Sequence, residues 1–383
     1  MKIISYGKQS IDSSDIAEVV KVLKTDWITQ GPKIDEFENA LAKYCGSKYA
    51  VCVSSGTAAL HLACLAVRLG KGDEAITTPM TFLATPNSIL YTGARPVFAD
   101  INYETANIDP AEIKKKITSK TKAILPVHFA GFPCDMPEIY KIAKNNGLKI
   151  IEDACHALGA EYKHNSKWIK VGSCKHSDMT VFSFHPVKHI TTGEGGAVTT
   201  NNRKLYEKLC MLRTHGIYKN KKMSKEKGLW YYEMRALGYN YRITDFQCAL
   251  GLSQLKKLNN CIKRRREIVN MYEKEFKNNK FFDLPVEKRY VRSSWHLYQI
   301  KLKYKYINQK KELVKKLHKH GIRAQVHYIP VHTQPYYRER FNTKWGDYPV
   351  AEDYYHKCLT IPLFPSLSNA NVKKVIREIN SYV

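Results

Sequence analysis

Val181-Phe-Ser-Phe-His-Pro-Val-Lys188-His-Ile-Thr-Thr-Gly-Glu-Gly-Gly-Ala-Val-Thr-Thr200 reads as a strand, a loop that carries a lysine, and a second strand. The apolar run Met179 to Phe184 delivers Lys188 into the loop, and Gly193, Gly195 and Gly196 turn the chain into the β-type run Ala197 to Thr200. A loop lysine taken alone is an ordinary surface charge. Held between buried strands it is partly desolvated, its neutral form is favoured, and a neutral amine attacks a carbonyl to form a Schiff base.

Outward from this stretch, β-rich runs alternate with helical ones through the first 200 residues. The strand candidates are 49–53, 75–78, 96–100, 123–128, 149–153, 179–184 and 196–200; helical periodicity covers 57–69, 82–91, 110–117 and 136–146. The alternation predicts an α/β unit with a mostly parallel sheet covered by helices. Ligands in such sheets bind at the carboxyl ends of strands, where Gly56, His128 and Asp153 fall. Beyond Thr200 the spacing predicts a helix over 203–212, a lysine-rich loop over 216–230 and a long helical run over 245–277. From about Phe281 a small α+β unit follows, with strands 297–302 and 323–327 around a helix 309–320. The expected division is 1–245, a connecting helix over 246–280, and 281–383.

The 383 residues carry a net charge of +27, which raises the question of nucleic acid. The lysines and arginines are scattered over helix-like stretches without a nucleic-acid motif, so none is expected; a diphosphate-bearing substrate suits the same positive field. Ten cysteines without a C-x-x-C pair or zinc-like Cys/His spacing predict reduced thiols, no metal and a cytoplasmic protein. No apolar run is long enough for a membrane span, and no membrane association is expected.

Four further groups surround the lysine in chain order. Val51-Cys-Val-Ser-Ser-Gly56-Thr57 is a strand, a turn and a helix start, where Ser55, Gly56 and Thr57 can offer backbone amides to a phosphate. The same turn also reads as a plain helix cap. Phe82 follows another strand and can stack on a planar ring, or simply pack in the core. Asp153 ends Lys149-Ile-Ile-Glu-Asp153 and can pair with a protonated heterocyclic nitrogen; His156 can lie over a flat ring or satisfy its loop. Ser183 sits five residues before Lys188, within reach of a phosphate. Pyridoxal phosphate needs one of each: phosphate amides, a stacking face, an acid for its ring nitrogen and a lysine for its aldehyde.

With these residues in place the chain resembles the DegT/StrS sugar aminotransferases. The likeness rests on Trp27-Ile-Thr29-Gln-Gly31-Pro32, Ser55-Gly-Thr-Ala-Ala-Leu60, Glu152-Asp-Ala-Cys-His-Ala-Leu-Gly159, Ser183-Phe-His-Pro-Val-Lys188 and Gly238-Tyr-Asn240-Tyr-Arg242-Ile-Thr-Asp245, and runs from about Leu23 to the C-terminus. It implies a type I pyridoxal-phosphate aminotransferase fold, with a mixed, mostly parallel seven-stranded sheet and a small C-terminal α+β domain. It also implies a homodimer in which Asn240 crosses to the cofactor phosphate of the other subunit. The cofactor is expected as PLP and, in alternation, PMP, with Lys188 and Asp153 in the catalytic roles. L-Glutamate and a UDP-sugar are the expected substrates.

The finer likeness is to the family's subgroup that aminates C4 of a UDP-linked 4-keto-6-deoxy-N-acetylhexosamine for pseudaminic acid biosynthesis. It rests on Ile28-Thr29-Gln30-Gly31, His156 where many members have glutamine, Ser294-Trp-His-Leu-Tyr298 and Gln325-Val-His327-Tyr328. Pro186-Val187 before the lysine departs from some relatives. Trp27, Thr29, His327 and Tyr328 are candidates for the nucleotide sugar, with segment 1–35 lining the substrate site. Members that replace the lysine by histidine are dehydratases; Lys188 points to amine transfer. The alternatives are another nucleotide-sugar 3- or 4-aminotransferase, or a non-catalytic PLP-binding regulator.

Overall fold

A computed structural model describes residues 3–382. The central sheet has seven strands in the spatial order Tyr49–Val53, Gly196–Thr200, Met179–Ser183, Lys149–Asp153, Thr121–Leu125, Glu74–Thr77, Arg95–Phe98. All seven expected strands are present, most within one or two residues of the sequence reading at each end. Every neighbouring pair is parallel except the two that involve Gly196–Thr200, which runs against both its neighbours.

The loop that carries Lys188 causes that reversal. Elsewhere a crossover separates strands that run the same way, whereas the 184–195 loop returns directly. Phe184 N donates to Gly195 O (2.8 Å) and Thr192 N to Phe184 O (3.0 Å), closing the loop on itself and bringing Ser183 opposite Gly196. Lys188 is therefore held at the carboxyl end of the sheet.

Alternation along the strands splits the core. Ile150 and Phe182 face one layer with Phe37 and Leu258; Ile151 and Val181 face the other with Leu60 and Val198. Helix Gly56–Ala66 is buried on nearly every side, which explains its lack of a polar face.

Helix Asp245–Phe276 is 32 residues long, about 48 Å, and starts at a capping box between Thr244 and Gln247. Its distal Ile268, Tyr272 and Phe276 join the core of an antiparallel sheet made of Phe282–Asp283, Tyr298–Leu302 and Cys358–Ile361. One expectation fails here: residues 323–327 form no strand. Only Gln325 pairs with Thr360, because the backbone of Arg323 is taken by Ile4, and Cys358–Ile361 fills the sheet position. The lysine-rich stretch also differs from a plain loop. Asn220 caps a short helix Lys221–Lys227, and Met223 buries itself beneath it. Among the described residues no helix is long and apolar enough to cross a membrane. All ten cysteines are free thiols.

Candidate active site

A cavity of about 430 Å³, within the range of small-ligand sites, opens at the carboxyl ends of the strands. It gathers Ser55, Gly56, Thr57, Phe82, Asp153, His156, Ser183 and Lys188, the eight cofactor residues expected from within one chain, together with His327 and Tyr328.

The phosphate side is built from two close backbone approaches. Ser55 caps helix Gly56–Ala66, its hydroxyl accepting from Ala58 N (3.0 Å). A Cβ on Gly56 would lie 2.8 Å from Ser183 Cβ, and one on Gly196 would lie 2.5 Å from Ser55 O. Only glycine at both positions lets the turn, Ser183 and the strand after the lysine loop converge. The first amides of an eleven-residue helix then face the cavity, where its dipole favours an anion.

Asp153 ends its strand at the opposite wall. Its Oδ2 accepts from Thr85 Oγ1 (2.6 Å) and its Oδ1 from Cys155 N (3.1 Å). The Thr85 hydroxyl is in turn bonded to that of Thr81 (2.9 Å). These bonds fix the direction of the carboxylate. Behind it, Cys134 N donates to His128 Nδ1 (2.9 Å), so the His128 proton sits on Nε2 and is given to Glu152 (2.7 Å). That buried pair, joined by Ser177 and Thr180, anchors the strand one residue before Asp153.

Lys188 enters from the lysine loop. Desolvation of this half-buried side chain pushes its ammonium below the usual lysine range, with Cys155 and Asp153 partly opposing, the direction the sequence suggested. His156 is buried, its Nε2 bonded to Tyr328 Oη (3.2 Å) with the two rings stacked. Phe82, 56% exposed, lies 5.9 Å from the Tyr328 ring at the cavity rim.

These groups fit pyridoxal phosphate. The Gly56 cradle, which a Cβ would fill, can take the phosphate; Asp153 offers an anion for the ring nitrogen; His156 and Phe82 offer flat faces; Lys188 offers the amine. Asn240, Trp27 and Thr29 lie outside this cavity. Asn240 is exposed and its backbone pairs with Thr214. Trp27 is 59% exposed, and Thr29 pairs with Thr244. Among the described residues of segment 1–35 only Tyr6 reaches the cavity wall. Sequence reading missed Thr85, 68 residues from Asp153, and Tyr6, because no local pattern marks such partners.

His156, His189, His296 and His327 are buried near Lys188, and burial pushes each well below the ordinary histidine range, His327 to about 3. The folded protein keeps them neutral while the unfolded chain protonates them below about pH 6.5. The unfolded state then binds more protons, so stability falls as pH drops through about 6.5 toward the folded values. His327 alone should cost about 2 kcal/mol at about pH 5. Thermal unfolding between about pH 8 and pH 5 should show a falling midpoint, and His327→Gln should flatten the decline; a midpoint independent of pH would refute it.

The sequence profile of the DegT/DnrJ/EryC1/StrS aminotransferase family matches residues 9–380. The chain is similar to a UDP-4-amino-4,6-dideoxy-N-acetyl-beta-L-altrosamine transaminase of Campylobacter jejuni, 42% identical over 97% of this chain and 95% of that protein. It is also similar to the spore coat polysaccharide biosynthesis protein SpsC of Bacillus subtilis, 41% identical over 99% of this chain and 97% of that protein. In structure it is similar to Helicobacter pylori PseC, an aminotransferase involved in the biosynthesis of pseudoaminic acid, with a TM-score of 0.91 and 36% identity over 99% of both chains.

Proposed function

This chain belongs to the DegT/DnrJ/EryC1/StrS aminotransferase family, and from that membership we propose a specific reaction: amino transfer from L-glutamate to C4 of a UDP-linked 4-keto-6-deoxy-N-acetylhexosamine. The product would be UDP-4-amino-4,6-dideoxy-N-acetyl-β-L-altrosamine, for pseudaminic acid biosynthesis in the cytoplasm. The enzyme is a pyridoxal-phosphate-dependent sugar aminotransferase. The observation that carries the chemistry is the shared cavity of a desolvated Lys188 and the Asp153 carboxylate. The Campylobacter and Helicobacter relatives support the sugar.

When bound, the cofactor supplies an aldehyde for linkage to amines and a ring that withdraws electrons. The amides from Ser55 to Thr57 and the Ser183 hydroxyl hold its phosphate, Phe82 and His156 flank its ring, and Asp153 keeps the ring nitrogen protonated. Lys188, as a neutral amine, would remove the α-proton of glutamate and in the second half-reaction would deliver a proton to C4 of the sugar. His327 and Tyr328 line the sugar side of the cavity, and Trp27 and Thr29, outside the cavity of one chain, would meet the nucleotide part of the substrate from the N-terminal segment. Asn240 reaches the phosphate of a second protomer, which makes the working unit a homodimer. In this reading residues 1–245 carry the cofactor, 246–280 connect, and 281–383 form the smaller unit.

The 41% identity to SpsC, a protein of spore coat polysaccharide biosynthesis, supports a sugar other than that of the Campylobacter relative, and the second reading is another nucleotide keto sugar aminated at C3 or C4. The test is spectral and then chemical. L-Glutamate should bleach the visible band of the purified yellow protein, and the UDP-4-keto sugar should restore it. A band unmoved by glutamate would indicate a non-catalytic regulator; restoration only by a different keto sugar would support the second reading.

A further inference from the structure

His156 heads a column of imidazoles that runs from the cavity into the protein. Its ring lies 4.4 Å from that of His296, which lies 5.3 Å from His189, the residue after Lys188. All three are buried. The column is pinned at its base by an unusual group. Arg265 is 1% exposed and has no carboxylate partner among the described residues; its guanidinium donates to the carbonyls of Trp295 (3.2 Å), His296 (3.1 Å) and Leu363 (2.8 Å). The His296 amide is tied to Ala130 O (2.9 Å), and Ser294 joins the column at both ends, donating to His156 O (3.2 Å) and accepting from His189 Nε2 (3.1 Å).

The free nitrogens decide the charge state. His156 Nε2 is engaged by Tyr328, whereas His156 Nδ1 and His296 Nδ1 are both enclosed and without a hydrogen-bond partner. A protonated imidazole carries two N–H donors, so a charged His156 would bury one with no acceptor, which costs far more than an unused lone pair. The groups facing His156 add to this. The Arg265 guanidinium bonded to the His296 carbonyl is the fixed positive charge behind the column, the Lys188, His189 and His327 side chains supply no negative charge, and Asp153 and Glu152 are occupied by Thr85, Cys155 N and His128.

We propose that His296, clamped by Arg265, is a positioning residue that holds His156 flat and uncharged against the cofactor ring. It rests on the cofactor placement proposed above. A neutral plate matters because the ring it faces carries a proton on its nitrogen, and a cationic imidazole would repel it. Removing His296 does two things: it takes away the tilted ring packed against His156, and it opens a void beside Nδ1 that water can enter, giving a protonated His156 its missing acceptor.

Uptake of pyridoxal phosphate by the apo-protein, followed by fluorescence titration at about pH 8 and about pH 5.5, on either side of the ordinary histidine value, tests this. His296→Ala should weaken binding relative to wild type roughly 3- to 10-fold at the higher pH, and the ratio to wild type should widen further at the lower. His296→Phe, which restores a flat ring and fills the void, should return the ratio close to one at both pH values. Adding His156→Gln to His296→Ala should abolish the pH-dependent part, since glutamine does not titrate. A His296→Ala ratio that is the same at both pH values, or a His296→Phe variant no better than alanine, would overturn the inference. Wild-type protein that fails to take up pyridoxal phosphate at all would overturn the functional reading itself, and this inference with it.

Discussion

Lys188→Ala should take up pyridoxal phosphate and yet lose turnover by about 10²- to 10⁴-fold or more, the range that a positioned proton-transfer group supplies. The Ser55–Thr57 turn, Asp153 and the flanking rings do not depend on the lysine, so the site should still bind. What disappears is the one lysine amine that lines the cavity, where desolvation keeps it below the normal lysine range. Borohydride, which fixes the cofactor to a chain amine in the wild type, should leave the variant unlabelled. Lys188→Arg should behave alike, because a guanidinium stays protonated and cannot serve as the base. Sustained multiple turnover by either variant would remove Lys188 from the mechanism.

Asp153→Asn should be nearly as damaging to activity while leaving the fold intact. The substitution keeps shape and removes charge. An asparagine carbonyl at this position still accepts from Thr85, so the wall stands, but the amide cannot hold a proton on the cofactor ring nitrogen. Losing a charge-assisted bond of about 1.5–3 kcal/mol corresponds to roughly 10- to 150-fold, and the weaker electron withdrawal adds to it. The rate of glutamate-driven bleaching should fall with little change in unfolding midpoint. Thr85→Val, which leaves the charge but frees its direction, should cost less. Wild-type bleaching kinetics in Asp153→Asn would show that the carboxylate does not face the ring.

Much of this site was legible because its residues directly follow strands. Gly56, Asp153 and Lys188 each come at or after the end of a short β-rich run, and strand ends converge in a parallel sheet. Local spacing also identified all seven central strands, since buried strands are marked by β-branched and aromatic runs that need no knowledge of their neighbours. The strand expected over 323–327 failed for the opposite reason. Its composition suits a strand, but its backbone partners were decided by Ile4, at the far end of the chain. A similar limit hid the link between two motifs. Asp245 is fully buried and accepts from Gly31 N (2.7 Å) and Lys33 N (2.8 Å), locking Trp27–Pro32 to Asn240–Asp245 across separations of 214 and 212 residues.

By itself the amino-acid sequence determined the class of chemistry: a glycine turn, an aspartate and a lysine at strand ends, one of each group that pyridoxal phosphate needs. Tertiary structure alone decided how those groups are tuned. Thr85 aims Asp153, burial shifts Lys188, and Arg265 and His296 set the state of His156. Each of these effects depends on distance and exclusion of water between residues far apart in the chain, and periodicity and composition carry no record of either.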